Sequence, residues 1–218
     1  MKTTEKYMPP QSASGPSVSR PAPRIARRLL VAAIAAGALL ALVAAVLVVI
    51  IYSGIYNIAA DVTHTQPVYW LLEELRDRSV AARAKDIVIP KDLDEPKRIS
   101  AGAGQYAEMC SGCHLAPGMK RTEINRGLYP RPPDLRQESD LTPAEQFWII
   151  KHGVKMTGMA AWGITHDDEL LWDVVAFLRK LPELTADQYQ ALVKSAPTHE
   201  EMMHDMEMGT DHLSDHAN

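Results

Sequence analysis

Residues Cys110-Ser111-Gly112-Cys113-His114 put two thiols and an imidazole within five positions. On a helical turn, positions i, i+3 and i+4 share a face. Cys110 and Cys113 can therefore both reach one edge of a flat ligand, and His114 can offer a metal-binding nitrogen from the same side. This is the attachment pattern of a c-type haem, with two thioethers to the vinyl groups and one proximal iron ligand. The small residues between the cysteines let the backbone approach the ring. Two other readings compete. A redox C-x-x-C pair needs a βαβ setting, which this chain lacks. Half a zinc site needs further thiolates, and the chain holds only two cysteines. The histidine directly after Cys113 discriminates in favour of haem.

A haem held by one histidine needs a second ligand or an open position, and the choice decides function. From Gly153 to Trp162 the chain reads Gly-Val-Lys-Met-Thr-Gly-Met-Ala-Ala-Trp. Met159 follows Gly158 in an expected loop between two helices. Met156 is its competitor, read here as a surface or packing side chain. His152 and His166 are the only candidates for a distal acid–base pair, which an enzyme working on peroxide or small gases would need. A second cluster lies at the far end: His199, Met202, Met203, His204, Met206, Met208, His212 and His216, with acidic residues between them. Imidazole and thioether donors suit copper, so the tail reads either as a copper site or as an acidic solubiliser.

These residues must be held by a small part of the chain. Of 218 residues with a net charge of −4, about half are claimed by other segments. Residues 1–28 are basic, rich in proline and serine, and read as a disordered tail. Residues 29–52 carry no charge. At ~1.5 Å per residue they cover about 36 Å, enough to span a bilayer. Arg20, Arg24, Arg27 and Arg28 precede them and place the N-terminus in the cytoplasm by the positive-inside rule. A signal peptide has a shorter apolar core and a shorter leader, so an uncleaved anchor is expected. Residues 53–93 form a connector, with a helix from Pro67 to about Ala84. Its apolar stripe of Val68, Leu71, Leu72 and Leu75 would pack on the rest of the protein or dock onto a membrane partner. Tyr69 and Trp70 suit an interface, and His64 reads as a surface histidine.

Residues 94–195 form the remaining domain, and the pattern is all-α. Asp94 is expected to cap a helix running through Ala107, with Pro96 in its first turn. Leu115 to Asp140, rich in Pro and Gly, reads as an ordered loop that needs something to wrap. Capping-box patterns then start three helices, at Thr142, Thr165 and Thr185. They are expected to end near His152, Lys180 and Lys194. Residues 196–218 read as a disordered acidic tail.

The order of these features resembles a class I cytochrome c of the membrane-anchored kind found in bacterial respiratory chains. The residues that carry the likeness are the helix with Gly102 and Tyr106, Cys110-x-x-Cys113-His114, the proline-rich loop, Gly158-Met159, and a C-terminal helix with Trp172 and Phe177. The likeness covers about Asp94 to Lys180. It implies one covalent haem c bound through Cys110 and Cys113, with His114 as proximal and Met159 as distal ligand. It implies that the Gly102/Tyr106 helix crosses the Trp172/Phe177 helix, with Gly102 allowing close approach, and that Arg131 and Pro133 lie near the haem edge. It also implies a single-pass protein of the bacterial inner membrane with its haem domain in the periplasm. Ala160 departs from the family, which often has proline after the ligand methionine. The expected function is that of a non-enzymatic carrier of single electrons between respiratory complexes, or to a terminal oxidase or reductase. Its expected partners are the membrane and redox proteins, not nucleic acid. A copper-handling protein or a gas- or peroxide-reactive haem protein is the alternative.

Overall fold

The computed structural model describes residues 24–197, and the chain divides after Asn57 into two units. The first unit holds one helix, α1 (Arg24–Ser53), slightly longer at both ends than the apolar run. It is the one described helix long and apolar enough to cross a membrane. Its side chains are exposed along its length, as expected of a helix whose solvent is lipid.

The second unit is helical, with no strand among the described residues. Its first helix is α2 (Gln66–Ala84), followed by α3 (Pro96–Gln105). A π-helical turn at Tyr106–Cys110 links α3 to a single turn, α4 (Ser111–His114). Then come α5 (Glu123–Gly127), α6 (Pro143–His152), α7 (Asp168–Leu178) and α8 (Ala186–Ser195). Short 3₁₀ turns at Trp162–Ile164 and Leu181–Glu183 lead into and out of α7.

The helices start largely where side-chain chemistry demands, with two corrections. Thr142 and Thr185 form complete capping boxes with Glu145 and Gln188. Thr165 does not cap α7. The 3₁₀ turn before it already directs the Thr165 and His166 backbone N–H groups to the Trp162 carbonyl, and the cap position passes to Asp167. Nor does Asp94 cap α3. The N-cap is Glu95, without a side-chain bond, and Asp94 instead accepts from Arg179 Nε at 3.3 Å.

The core is built where α3 crosses α7. A Cβ at Gly102 would collide with the Asp173 carbonyl and lie 2.9 Å from Phe177 Cβ, so the crossing requires glycine. Tyr106, Leu171, Val174, Val175, Phe177 and Leu181 fill the interior. Phe147 of α6 stacks on Trp172 of α7 at 4.1 Å, which adds aromatic pairing to burial. The Arg98 side chain, 15% exposed, clamps the crossing. It donates to Asp173 at 2.8 Å, Glu169 at 2.7 Å and Asp92 at 2.9 Å.

Helix α2 packs against α6 with the face opposite its apolar stripe, so of the two readings of that stripe the inward-packing one does not hold. Val80 and Ala84 are buried, whereas Leu71, Leu72 and Leu75 are exposed, and Trp70 is 65% exposed. His64 also departs from a surface reading. Its backbone N–H donates to the Tyr129 hydroxyl at 2.9 Å, and its ring meets Tyr129 edge-on at 5.2 Å.

The Arg98 clamp yields a test. Burial pushes the Asp173 carboxyl up to about 6, while Arg98 pulls it back down. A carboxylate with a raised folded pKa costs stability as pH rises through that range. Arg98→Met leaves the ionised carboxylate without its main partner. We expect a loss of roughly 3 kcal/mol near pH 8, the lower end for a broken buried pair, and a clearly smaller loss near pH 5. Denaturant unfolding at both pH values checks this, and an equal loss at both would contradict it.

Candidate haem site

The attachment sequence sits on a deliberate irregularity. The Ser111 backbone N–H reaches back five residues to the Tyr106 carbonyl. One extra residue in a turn rotates everything after it by about 100° relative to α3. This re-aims Cys110, Cys113 and His114 without moving α3 off α7. Tyr106, fully buried, donates its hydroxyl to the Leu115 carbonyl at 2.5 Å and so closes α4. The last carbonyls of a helix have no intrahelical donor. Those of Gly112 and Cys113 are satisfied by Thr122 Oγ1 at 2.5 Å and Asn125 Nδ2 at 2.7 Å. Thr122 also caps α5 by accepting from the Asn125 backbone.

The His114 ring is fixed by one bond. Its Nδ1 lies 2.9 Å from the Pro133 carbonyl oxygen. A carbonyl only accepts, so Nδ1 carries the proton and Nε2 keeps its lone pair for a metal. Burial lowers the His114 pKa, partly opposed by the Pro133 bond, and favours the neutral, ligating form. Burial, with a smaller push from Cys113, raises the Cys110 thiol to about 12.

Met159 is positioned by Gly153. This residue closes α6 at φ +63, in the left-handed region, and a Cβ there would lie 2.7 Å from Met159 O and from Ala160 C. The Val154 N–H donates to Met159 O at 3.3 Å. Thr157 Oγ1 donates to Val154 O at 2.8 Å and accepts from Met159 N at 3.1 Å. A short knot therefore holds the loop in the absence of a proline at Ala160. Met156 points away from it, 96% exposed.

Cys110, Cys113, His114 and Met159 line one cavity of ≈ 1010 Å³, at the upper end of pockets that take small molecules and cofactors. Apolar side chains such as Met109, Leu135, Ile149 and Trp162 supply much of its wall, and Arg131 and Pro133 belong to it too. A thioether and an imidazole on one apolar cavity with two thiols are the donor set of a covalently held haem. A buried polar atom without a partner, Oε1 of the wall residue Gln146, also fits a group with polar substituents. The residues present thus suit haem. His152 and His166 lie elsewhere, against Trp148 and Trp162, and neither is among the described residues lining the cavity. The His199–His216 cluster lies outside the described residues. No group of metal-binding His, Cys, Asp and Glu side chains occurs among the described ones.

Three supports were not read from the sequence: the π-turn, the Thr122–Asn125 brace and the Gly153 contact with Met159. Only Gly153 had a legible signal, a glycine closing a helix six residues before the loop methionine. We expect Gly153→Ala to cost about 2 kcal/mol in denaturant unfolding, from backbone strain plus the clash. Stability within about 0.5 kcal/mol of the parent, the usual range for neutral substitutions, would contradict the role given to Gly153.

Residues 97–178 match the family described as cytochrome c oxidase, cbb3-type, subunit III. The comparison with curated proteins found no match. The matched stretch contains the π-turn, the attachment sequence, the Pro133 carbonyl and Met159, and it leaves out α1, α2 and α8. It implies haem c as the cofactor and electron transfer as the chemistry. Together with the site geometry, this supports a c-type cytochrome domain over the matched residues, in a chain that also holds a helix long and apolar enough to cross a membrane.

Proposed function

We propose that this protein is a membrane-tethered, mono-haem carrier that passes single electrons to or within a respiratory complex. The observation that carries the reading is the meeting of Cys110, Cys113, His114 and Met159 on one apolar cavity. Haem c, when bound, supplies a one-electron iron couple. Cys110 and Cys113 would hold it covalently, and His114 Nε2 and Met159 Sδ would be the ligands to its iron. The thioether favours the ferrous state and so raises the potential. With His114 and Met159 held in place by Pro133, Gly153 and Thr157, ligation by both would leave little to change between oxidation states and little room for a small molecule at the iron, which argues for a carrier over an enzyme.

Arg20, Arg24, Arg27 and Arg28, which precede the apolar run, support a cytoplasmic N-terminus and a periplasmic haem domain. An uncleaved α1 keeps the haem domain at high effective concentration near membrane partners. The matched family is that of an oxidase subunit, which supports a terminal oxidase as electron acceptor or host complex.

The ligand assignment is tested by two substitutions. In the oxidised parent we expect the weak methionine-to-iron absorption band near the red end of the visible spectrum, and in the reduced parent poor binding of carbon monoxide. Met159→Ala is expected to abolish the band, lower the potential and admit carbon monoxide. Met156→Ala, at an exposed position, should change none of these. A large effect of Met156→Ala would overturn the ligand assignment. Ready carbon monoxide binding by the parent would overturn the carrier reading.

A further inference from the structure

Trp70, Leu71 and Leu75 of α2 are each more than half exposed, and Leu72 is exposed beside them. Leu71 and Leu75 stand one turn apart on one helical face, and Trp70 and Leu72 flank it. The opposite face is already occupied. Val80 and Ala84 are buried where α2 packs on α6, and Tyr69 and Val80 line the haem cavity. The helix is thus held by one face while it offers the other to the outside. The charges at the edge of the apolar face, Glu74 and Arg78, pair with each other at 2.7 Å, so they add no net charge to it. Exposed apolar patches of this kind mark a protein or a membrane contact.

The place of the stripe in the chain points to its occupant. Only residues 54–65 separate α1 from α2. Fully extended, at ~3.5 Å per residue, they reach at most about 42 Å, and the turn that bonds Val62 N–H to the Ala59 carbonyl shortens that reach. Ile55, Ile58 and Val62 within this stretch are exposed as well. Exposed apolar side chains therefore continue from the end of α1 to the stripe. Trp and Tyr side chains prefer the boundary between lipid and water, and Tyr52, Tyr56 and Trp70 punctuate this run. We propose that α2 rests on the lipid surface through Trp70, Leu71, Leu72 and Leu75, as an interfacial helix whose other face carries the haem domain. The inference rests on the reading of α1 as a membrane anchor. A protein partner fits less well. A stable protein interface covers about 800 Å² of each partner, whereas a stripe one helix wide and about 11 Å long, two turns, offers far less. On lipid so small a stripe suffices, because the anchor keeps the bilayer at high effective concentration.

The consequence is a fixed posture for the haem domain. The cavity wall at Tyr69 and Val80 then stands about one helix diameter, ~10 Å, from the lipid. The haem is held at one height and one orientation, where a partner embedded in the same membrane can meet it, instead of swinging on its connector. The contact is apolar and the Glu74–Arg78 pair is internally neutral. Docking therefore needs no anionic lipid and is insensitive to salt, which screens only charges.

The test uses the full haem-loaded chain, reduced so that its iron is diamagnetic, in nanodiscs of phosphatidylcholine. Nitroxide labels are attached one at a time through Leu71→Cys, Leu75→Cys, Leu40→Cys within α1, and Lys194→Cys at an exposed position of α8. Collision of each label with oxygen, which concentrates in lipid, is compared with collision with a water-soluble nickel chelate. The labels at Leu71 and Leu75 are expected to give an oxygen-to-nickel ratio roughly threefold or more above that at Lys194, at low and high salt alike. Adding Leu75→Glu should return the Leu71 label to the Lys194 value. Every substituted position is exposed, so haem content and the methionine band should stay at the parent's level, which keeps the haem reading separate. Labels at Leu71 and Leu75 as wet as the one at Lys194 would overturn the proposal. A lipid-like ratio at Leu40 would then confine the failure to α2, and a water-like ratio there would sink the anchor reading with it. Labels at Leu71 and Leu75 shielded from both oxygen and nickel would overturn the proposal in favour of a protein cover, either a second copy or another segment of this chain.

Discussion

The close approach of α3 and α7 at Gly102 is the constraint on which the site depends. The two helices touch backbone to backbone because Gly102 has no Cβ to place against the Asp173 carbonyl. Everything functional hangs from the ends of this crossing. The C-terminal end of α3 continues through the π-turn into Cys110, Cys113 and His114. The N-terminal end of α7 is reached only through the loop that carries Met159. The crossing therefore sets where two distant ligands lie relative to each other, and the Arg98 clamp keeps it from sliding. Asp173 takes part twice, through its backbone at Gly102 and through its carboxylate at Arg98.

Around that crossing the ligands are locked by short-range bonds, each with a clear physical purpose. The Pro133 carbonyl chooses the His114 tautomer. Thr122 and Asn125 satisfy the carbonyls that end α4. Gly153 lets the backbone turn back against Met159. None of these groups touches a metal in this reading, yet each decides whether a metal ligand points into the cavity. A site assembled this way needs little rearrangement when an electron arrives, which is the main requirement of an electron carrier.

Much of this was legible in the sequence, for identifiable reasons. The attachment pentapeptide is a local signal, complete within five residues. The capping boxes at Thr142 and Thr185 are equally local, and both formed. The apolar run of α1 needs only counting. What was not legible depends on contacts between distant residues. Thr165 looked like a cap, but the preceding 3₁₀ turn, invisible in the pattern, runs on through the Thr165 and His166 N–H groups, and α7 starts two residues later with Asp167 at the cap position. The π-turn leaves no composition signal, because it answers a need for rotation set by the α3–α7 crossing. The α2 stripe allowed two readings, a face packed inward or a face for a membrane partner, and only the packing could decide between them. Leu71, Leu72 and Leu75 stay exposed while Val80 and Ala84 are buried. Periodicity reveals that a helix has two faces, but the partner decides which one is covered.

The central claim is that Met159 lies against the haem iron opposite His114, and proton NMR of the reduced, diamagnetic protein tests it most directly. A methionine methyl group held over a haem lies in the ring current and is shifted far upfield of all other methyl signals. The account predicts one such three-proton signal, belonging to the side chain of Met159. Its absence, or its assignment to another methionine, would contradict the account.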